Sequence, residues 1–223
     1  MTELVIFDLD GTLLYTVEDI AQATNYALEQ YGYPTHSVEV IATFIGNGIN
    51  KLLERALPQG HKSPEEVIEL RGHFKDFYDI HCMDLSRPFD GIRDLLRFIR
   101  REGIGVAVAS NKYQAATERL IPYYFPDIDF VAVLGQREGI PVKPDPSIVN
   151  DILEIASIPP ENKVNVLYVG DSGVDMQTAI NASLTAIGVT WGCRPRSELQ
   201  KYSPAYIVDS PSEIEDILLS LKK

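Results

Sequence analysis

Four short segments gather the residues of this chain whose types and spacing could do chemistry together. Asp8-Leu9-Asp10-Gly11-Thr12 carries two carboxylates one residue apart, and Gly170-Asp171-Ser172-Gly173-Val174-Asp175 carries two more. Between them in sequence lie Ser110-Asn111, a hydroxyl and an amide, and Lys143, set between Val142 and Pro144. Alternate side chains point differently along extended backbone, so Asp8 and Asp10 can approach one reacting atom from different sides. Two acids so close disfavour simultaneous ionisation unless a cation is present. With a divalent cation bound, Asp8 can stay ionised as nucleophile while Asp10 holds a proton for a leaving group. The expected ion is Mg²⁺, which takes oxygen ligands: Asp8, the backbone carbonyl of Asp10, and Asp171. Asp175 is expected to orient a metal-bound water or Lys143; as an acid at a helix start it would also be favoured by the helix dipole. Ser110 and Asn111 are expected to donate to phosphoryl oxygens. Lys143 would neutralise charge on the phosphoryl group and on Asp8. Gly11 would let the chain turn without a Cβ obstructing a phosphate, with Thr12 beside it among the substrate contacts.

These residues need a scaffold that brings distant segments to one edge. An apolar run over 4–7 predicts a strand, followed by a helix over 17–31, capped by Thr16 and closed at Gly32. Helical spacing then continues to about residue 85. Ser63-Pro64-Glu65-Glu66 reads as a capping box with proline at the first helical position. From Arg87-Pro88-Phe89-Asp90-Gly91 onward the pattern alternates. Helices are expected over 92–102, 115–121, 147–156, 174–182 and 214–221, the last behind a capping box at Ser210-Pro211-Ser212-Glu213. Strands are expected over 104–109, 130–134, 165–169, 185–189 and 206–208. Apolar strands alternating with amphipathic helices define an α/β, Rossmann-like parallel sheet covered by helices on both faces. The core comprises 1–14 and 86–223; an all-helical cap, 15–85, is inserted after the first strand, where a lid would sit. Ligands bind outside the carboxyl ends of strands in such sheets, and three of the four segments directly follow predicted strands, with Lys143 in the loop after a fourth.

Composition narrows the choice. At 223 residues and 45% hydrophobic, the chain can bury a substantial core. No apolar stretch approaches the roughly 18–20 residues that span a bilayer. The N-terminus has no basic region ahead of an apolar run, so a cytoplasmic location is expected. A net charge of −12 repels nucleic acid. The two cysteines, Cys82 and Cys193, fit no metal spacing and no disulfide framework.

In order and spacing, Asp8-Leu9-Asp10-Gly11-Thr12, Ser110-Asn111, Lys143-Pro144 and Gly170-Asp171-Ser172…Asp175 resemble the four motifs of the haloacid-dehalogenase-like hydrolases. The likeness is to their phosphatase branch with a helical cap after the first strand, and it covers essentially the whole chain. It implies a two-step reaction. Asp8 attacks phosphorus to form an aspartyl-phosphate; Asp10 protonates the departing alcohol and then activates water. Ser110 and Lys143 hold the phosphoryl oxygens, and Mg²⁺ bridges Asp8 and the phosphate, with Asp171 completing the protein ligands. Asp10 sets the chain apart from the dehalogenases, which have no acid two residues after the nucleophile. The cap segment Phe44-Ile45-Gly46-Asn47-Gly48-Ile49 and the helix after it are similar to the glycine-containing specificity loop of the phosphoglycolate phosphatase branch, as are Tyr78, His81 and Phe89-Asp90-Gly91. Gly46 and Asn47 are therefore expected at the substrate, where tight-loop amides could approach a small anion. Tyr15, where many relatives carry aspartate, and Asn181-Ala182-Ser183, where an alanine–glycine pair is usual, depart from the pattern. The resemblance implies a phosphatase of a small phosphorylated metabolite, with phosphoglycolate as the first substrate to try. The protein would be a monomer or homodimer with no nucleic-acid or membrane partner. A sugar-phosphate phosphomutase, an inorganic pyrophosphatase and a catalytically silent binder of phosphorylated ligands are the alternatives.

Overall fold

The chain begins on an inner strand. β1 (Leu4–Phe7) is four apolar residues, all buried, as a strand with both faces covered requires. The computed structural model describes residues 2–222. After β1 come a two-residue strand β2 (Leu14–Tyr15) and four helices, α1 (Val17–Glu29), α2 (Val38–Phe44), α3 (Ile49–Ala56) and α4 (Pro64–His81). The chain returns on β3 (Arg87–Pro88), which pairs antiparallel with β2. Alternation then follows: α5 (Ile92–Arg101), β4 (Gly105–Tyr113), α6 (Gln114–Tyr124), β5 (Ala132–Gln136), α7 (Ser147–Ile155), β6 (Val166–Gly170), α8 (Gly173–Ala182), β7 (Thr185–Val189), α9 (Arg196–Gln200), β8 (Tyr206–Val208) and α10 (Pro211–Ser220).

Six strands form one parallel sheet in the order β5-β4-β1-β6-β7-β8. The order of successive strands reverses at β1, which pairs with β4 on one side and β6 on the other; this is the switch point where a crevice opens at the strand ends. Period-two alternation splits β1 between two cores. Val5 and Phe7 join the cluster that includes Leu120, Ile214 and the cap interior. Leu4 and Ile6 join Ile148, Ile152, Met176 and Leu199 on the other face. The expected fold class, a doubly covered parallel sheet with a helical cap after the first strand, is the one observed.

Within the cap, α1 packs on α4, and Tyr26 stacks on Phe77 with ring centroids 4.6 Å apart. α4 starts as its sequence specifies, with Ser63 and Glu66 exchanging backbone and side-chain hydrogen bonds and Pro64 at the first turn. Buried Asp19 of α1 accepts from the Leu85 and Ser86 amides at 3.0 and 2.8 Å and from the Ser86 hydroxyl at 2.6 Å, tying the start of the cap to its exit. Tyr15, at the same crossing, packs edge-on against Phe89, with the Arg87 guanidinium 4.3 Å above its ring. Among the described residues no helix is long and apolar enough to cross a membrane.

Several local expectations give way to stronger partners. Thr16 precedes α1 but makes no capping bond; its hydroxyl donates to the Asp10 carboxylate at 2.6 Å, and this charge-assisted bond turns the side chain toward Asp10. Ser210 likewise turns its hydroxyl to Glu213 rather than accepting from the first turn of α10. β4 runs on to Tyr113, so Ser110-Asn111-Lys112 lies within the strand, beyond a register shift after Ala109. α9 and the β2–β3 ribbon have too few residues for a periodic signal. Ser183 ends α8 in the left-handed region at φ 59°, the place of the usual glycine. Asn181 beside it donates to the Pro144 carbonyl at 2.8 Å.

Candidate active site

The last residue of β1 hands the chain to Asp8, whose amide is still held by Val169 of β6 at 2.9 Å. The chain then coils tightly: the Leu9 carbonyl accepts from the amides of Thr12, Leu13 and Leu14. Gly11 makes this possible at φ +90°, and a Cβ there would sit 2.4 Å from Asp171 Oδ2. The space that Gly11 leaves is thus taken by the Asp171 carboxylate. Gly192 covers the same oxygen from the other side, a Cβ there falling 2.3 Å away, and the Cys193 amide donates to it at 2.6 Å.

Lys143 is the hub. Its buried ammonium donates to Asp8 Oδ1 and Asp175 Oδ1, both at 2.7 Å, to the Ala109 carbonyl at 2.9 Å and to the Tyr168 hydroxyl at 3.0 Å. Asn111 braces it: its Oδ1 accepts from the Lys143 amide at 2.8 Å, and its Nδ2 donates to the Lys143 carbonyl at 3.1 Å and to Gly46 of the cap at 2.9 Å. With its amide so engaged, Asn111 is a strut between core and cap, a different task from the phosphoryl donor expected of it. Asp175 has partners on both of its oxygens. It forms a capping box with Ser172 at the start of α8 while its other oxygen holds Lys143.

Ser110 is buried at the cavity, its oxygen accepting from the Lys112 amide at 3.1 Å. Asp10 lies across the cavity with Oδ1 held by Thr16 and by Lys112 Nζ at 3.1 Å. Thr12 is fully buried and outside the cavity lining; its carbonyl accepts from Trp191 Nε1 at 3.0 Å. In the cap loop Gly46 faces the cavity, whereas Asn47 turns away to accept from Arg55 at 2.8 Å. His81 stacks on Phe77 and pairs with Asp84 away from the site.

Electrostatically the cluster is short of positive charge. Asp8, Asp171 and Asp175 bring carboxylate oxygens within 4.8 Å of one another, all buried, against the one ammonium of Lys143. Burial and then Asp175 push the Asp8 carboxyl well above its ordinary range, with Lys143 opposing. Burial and Asp175 push Asp171 up to about 7. Burial works against a charged Lys143, but Asp175 and Asp8 outweigh it and raise the ammonium well above its ordinary value. An all-oxygen donor set with surplus negative charge suits a hard divalent cation such as Mg²⁺. Both oxygens of Asp175 are committed, to Lys143 and Ser172. Among the described residues, Oδ2 of Asp8 and Oδ1 of Asp171 accept no hydrogen bond, which leaves them for a cation.

Three cavity residues escaped the sequence reading. Lys112 bonds Asp10 and the Tyr78 hydroxyl. Cys193 and Arg194 come from the loop after β7, and Arg194 donates to the carbonyls of Ala42, Thr43 and Ile45, closing the end of α2 onto the core. Burial and then Asp171 push the Cys193 thiol up to about 12. Asking which residues follow a strand would have found that loop had it been applied to 185–189. Lys112 was signalled by its place two residues beyond Ser110 on one strand.

Similarity to known proteins agrees with this geometry. The profile of the family described as haloacid dehalogenase-like hydrolase matches residues 5–189. A phosphoglycolate phosphatase of Vibrio parahaemolyticus serotype O3:K6 is 31% identical over 221 residues, covering 97% of this chain and 96% of that one. One from Cereibacter sphaeroides is 32% identical over 221 residues, covering 97% and 98%. A crystal structure from Lactobacillus delbrueckii subsp. bulgaricus, of a provisionally named phosphoglycolate phosphatase, superposes with a TM-score of 0.88 at 32% identity, covering 97% of this chain and 98% of that one. The chain belongs to the haloacid dehalogenase-like hydrolase family and is an enzyme of its phosphatase branch.

Proposed function

We propose that the protein is a Mg²⁺-dependent phosphatase of a small phosphate monoester, working through an aspartyl-phosphate on Asp8. The observation that carries this is the Asp8–Lys143–Asp175 chain beside Asp171: a nucleophilic carboxylate with one oxygen anchored to a buried ammonium and the other open. Asp8 and Asp171, with the Asp10 carbonyl, would hold the ion. When bound, Mg²⁺ supplies charge neutralisation and positioning of the phosphoryl group.

The Asp8 carboxylate attacks phosphorus and the bond to the alcohol oxygen breaks, with the Asp10 carboxyl giving its proton to that oxygen. Water then attacks the phosphorus, Asp10 takes the proton from it, and the bond to Asp8 breaks to release phosphate. Ser110 donates to a phosphoryl oxygen, and the Lys143 ammonium, held against Asp8, offsets the negative charge gathered there. The cap, residues 15–85, acts as a lid on the core and excludes bulk water from the intermediate.

Size argues for a small alcohol. The cavity measures about 60 Å³, room for a handful of waters. Its cap wall is apolar, built from Ile20, Ile45, Ile49, Leu52 and Phe74, with few groups to read the hydroxyls of a sugar. Together with the relatives named above, this makes phosphoglycolate the first substrate to test. Purified protein is expected to release phosphate from p-nitrophenyl phosphate only with Mg²⁺, and to prefer phosphoglycolate in a panel that also holds sugar phosphates and diphosphate. Isomerised sugar phosphate without phosphate release, or preference for diphosphate, would overturn the reading.

A further inference from the structure

Lys112 stands where the core acid meets the cap. Its side chain is 5% exposed, and its ammonium lies 3.1 Å from Asp10 Oδ1 and 2.9 Å from the Tyr78 hydroxyl. It also sits 4.7 Å above the Tyr78 ring. Asp10 belongs to the core; Tyr78 is fully buried on α4 of the cap. That ring is itself fixed, stacked on Phe74 at 5.2 Å and edge-on to Tyr113 at 6.3 Å. A buried ammonium persists only where its donors are satisfied. Here its polar partners are one group on each side of the boundary between cap and core.

The atoms chosen matter. Thr16 Oγ1 and Lys112 Nζ both land on Oδ1 of Asp10. Among the described residues Oδ2 accepts no hydrogen bond, and Asp10 lines the cavity. Two donors on one oxygen fix the carboxyl plane and leave the other oxygen as the one presented to a substrate. Removing Tyr78 by lifting the cap takes away half the support of Lys112.

We propose that Lys112 is a positioning residue for Asp10. It holds the carboxyl in the orientation that serves the leaving oxygen, and it does so while Tyr78 of the docked cap holds Lys112. The proposal rests on the reading of Asp10 as the general acid.

The identity of the leaving group tests it. An alkyl phosphate would expel a strongly basic alkoxide unless protonated, whereas p-nitrophenyl phosphate expels a weakly basic phenolate that needs no proton. In the full chain with Mg²⁺, K112M is expected to lower kcat/KM, which reports formation of the aspartyl-phosphate and not its hydrolysis, about 30-fold on an alkyl phosphate that the wild type turns over, phosphoglycolate first, and less than about 3-fold on p-nitrophenyl phosphate. Y78F should show the same selectivity with a loss of about 5-fold on the alkyl ester. Equal losses on the two esters, or none on the alkyl one, would overturn the proposal. Retained nitrophenyl turnover reports that a variant has folded. If K112M turns over neither ester, Y78F, which removes a single oxygen, decides the matter. D10N separates the two readings. If D10N lacks the leaving-group preference, the acid role itself fails. If D10N shows the preference and K112M and Y78F do not, only the positioning role fails.

Discussion

The two walls of the cavity are built on opposite principles. The core wall is polar and fixed: the Lys143 ammonium has four oxygen partners, and Asp171 is gripped between two glycines and the Cys193 amide. The cap wall is mostly apolar, with Ile20, Ile45, Ile49, Leu52 and Phe74 facing the same space. Its ties to the core include bonds from Asn111 to the Gly46 carbonyl, from Arg194 to three carbonyls at the end of α2, and from Lys112 to the Tyr78 hydroxyl. Catalysis of charge transfer depends on groups already oriented in a site shielded from water, whose polar partners are in place before reaction. Discrimination among alcohols depends on shape, and an apolar wall on a separate domain can change without disturbing the charges. The contrast predicts that core changes abolish turnover, whereas cap changes redistribute it among substrates.

The largest effect should come from the nucleophile. Asp8→Asn keeps shape and removes the attacking charge, and phosphate release is expected to fall by about 10⁴-fold or more. Turnover comparable to wild type would place the chemistry elsewhere and dissolve the contrast. Next is Lys143→Met. It leaves Asp8 and Asp175 buried without their cation, so unfolding by urea should show a loss of about 3–5 kcal/mol together with the loss of turnover.

How much of this contrast could be read beforehand follows from the same physics. The core site was legible because Asp8 and Asp171 directly follow strands and Lys143 lies in the loop after another, and short apolar strands followed by acids announce themselves. Asp8, Lys143 and Asp171 converge where the strand order reverses. The cap's share was less legible because it depends on docking. Nothing local distinguishes Gly46, whose carbonyl meets Asn111, from Asn47, which turns to Arg55. Thr16 illustrates the limit from the other direction. Its position is right for a cap, but its hydroxyl is turned to a carboxylate six residues earlier in the chain. Lys112 needed the strand to continue past Ala109, which the abrupt turn to polar residues concealed.

The charge deficit of the core wall can be measured apart from catalysis. The Asp171 carboxyl titrates near 4 in an unfolded chain and at about 7 in the fold. Between those values the folded chain binds the extra proton, so this group's contribution is complete below about pH 4 and is lost as pH rises through about 7. In EDTA, the difference in melting temperature between wild type and Asp171→Asn should therefore shift against the wild type from pH 4.5 to pH 8. Adding Mg²⁺, which favours the ionised carboxylate, should flatten or reverse that trend. A difference that is independent of pH, with or without Mg²⁺, would mean that the cluster carries no surplus charge.

The smallest expected effect tests the cap wall. Ile49→Ala enlarges the cavity next to the glycine loop without touching a hydrogen bond of the core. An apolar truncation of this kind changes discrimination by about 10- to 200-fold, well below the loss expected at the nucleophile. It should raise kcat/KM for a bulkier ester relative to phosphoglycolate, while the Mg²⁺ requirement and the rate on p-nitrophenyl phosphate stay within about 3-fold of wild type. The ratio matters more than either rate, since any disturbance of the core lowers both esters together and leaves it unchanged. A uniform fall would show that the cap loop helps to hold the charged cluster, through Gly46 and Asn111, and that the two walls are one device.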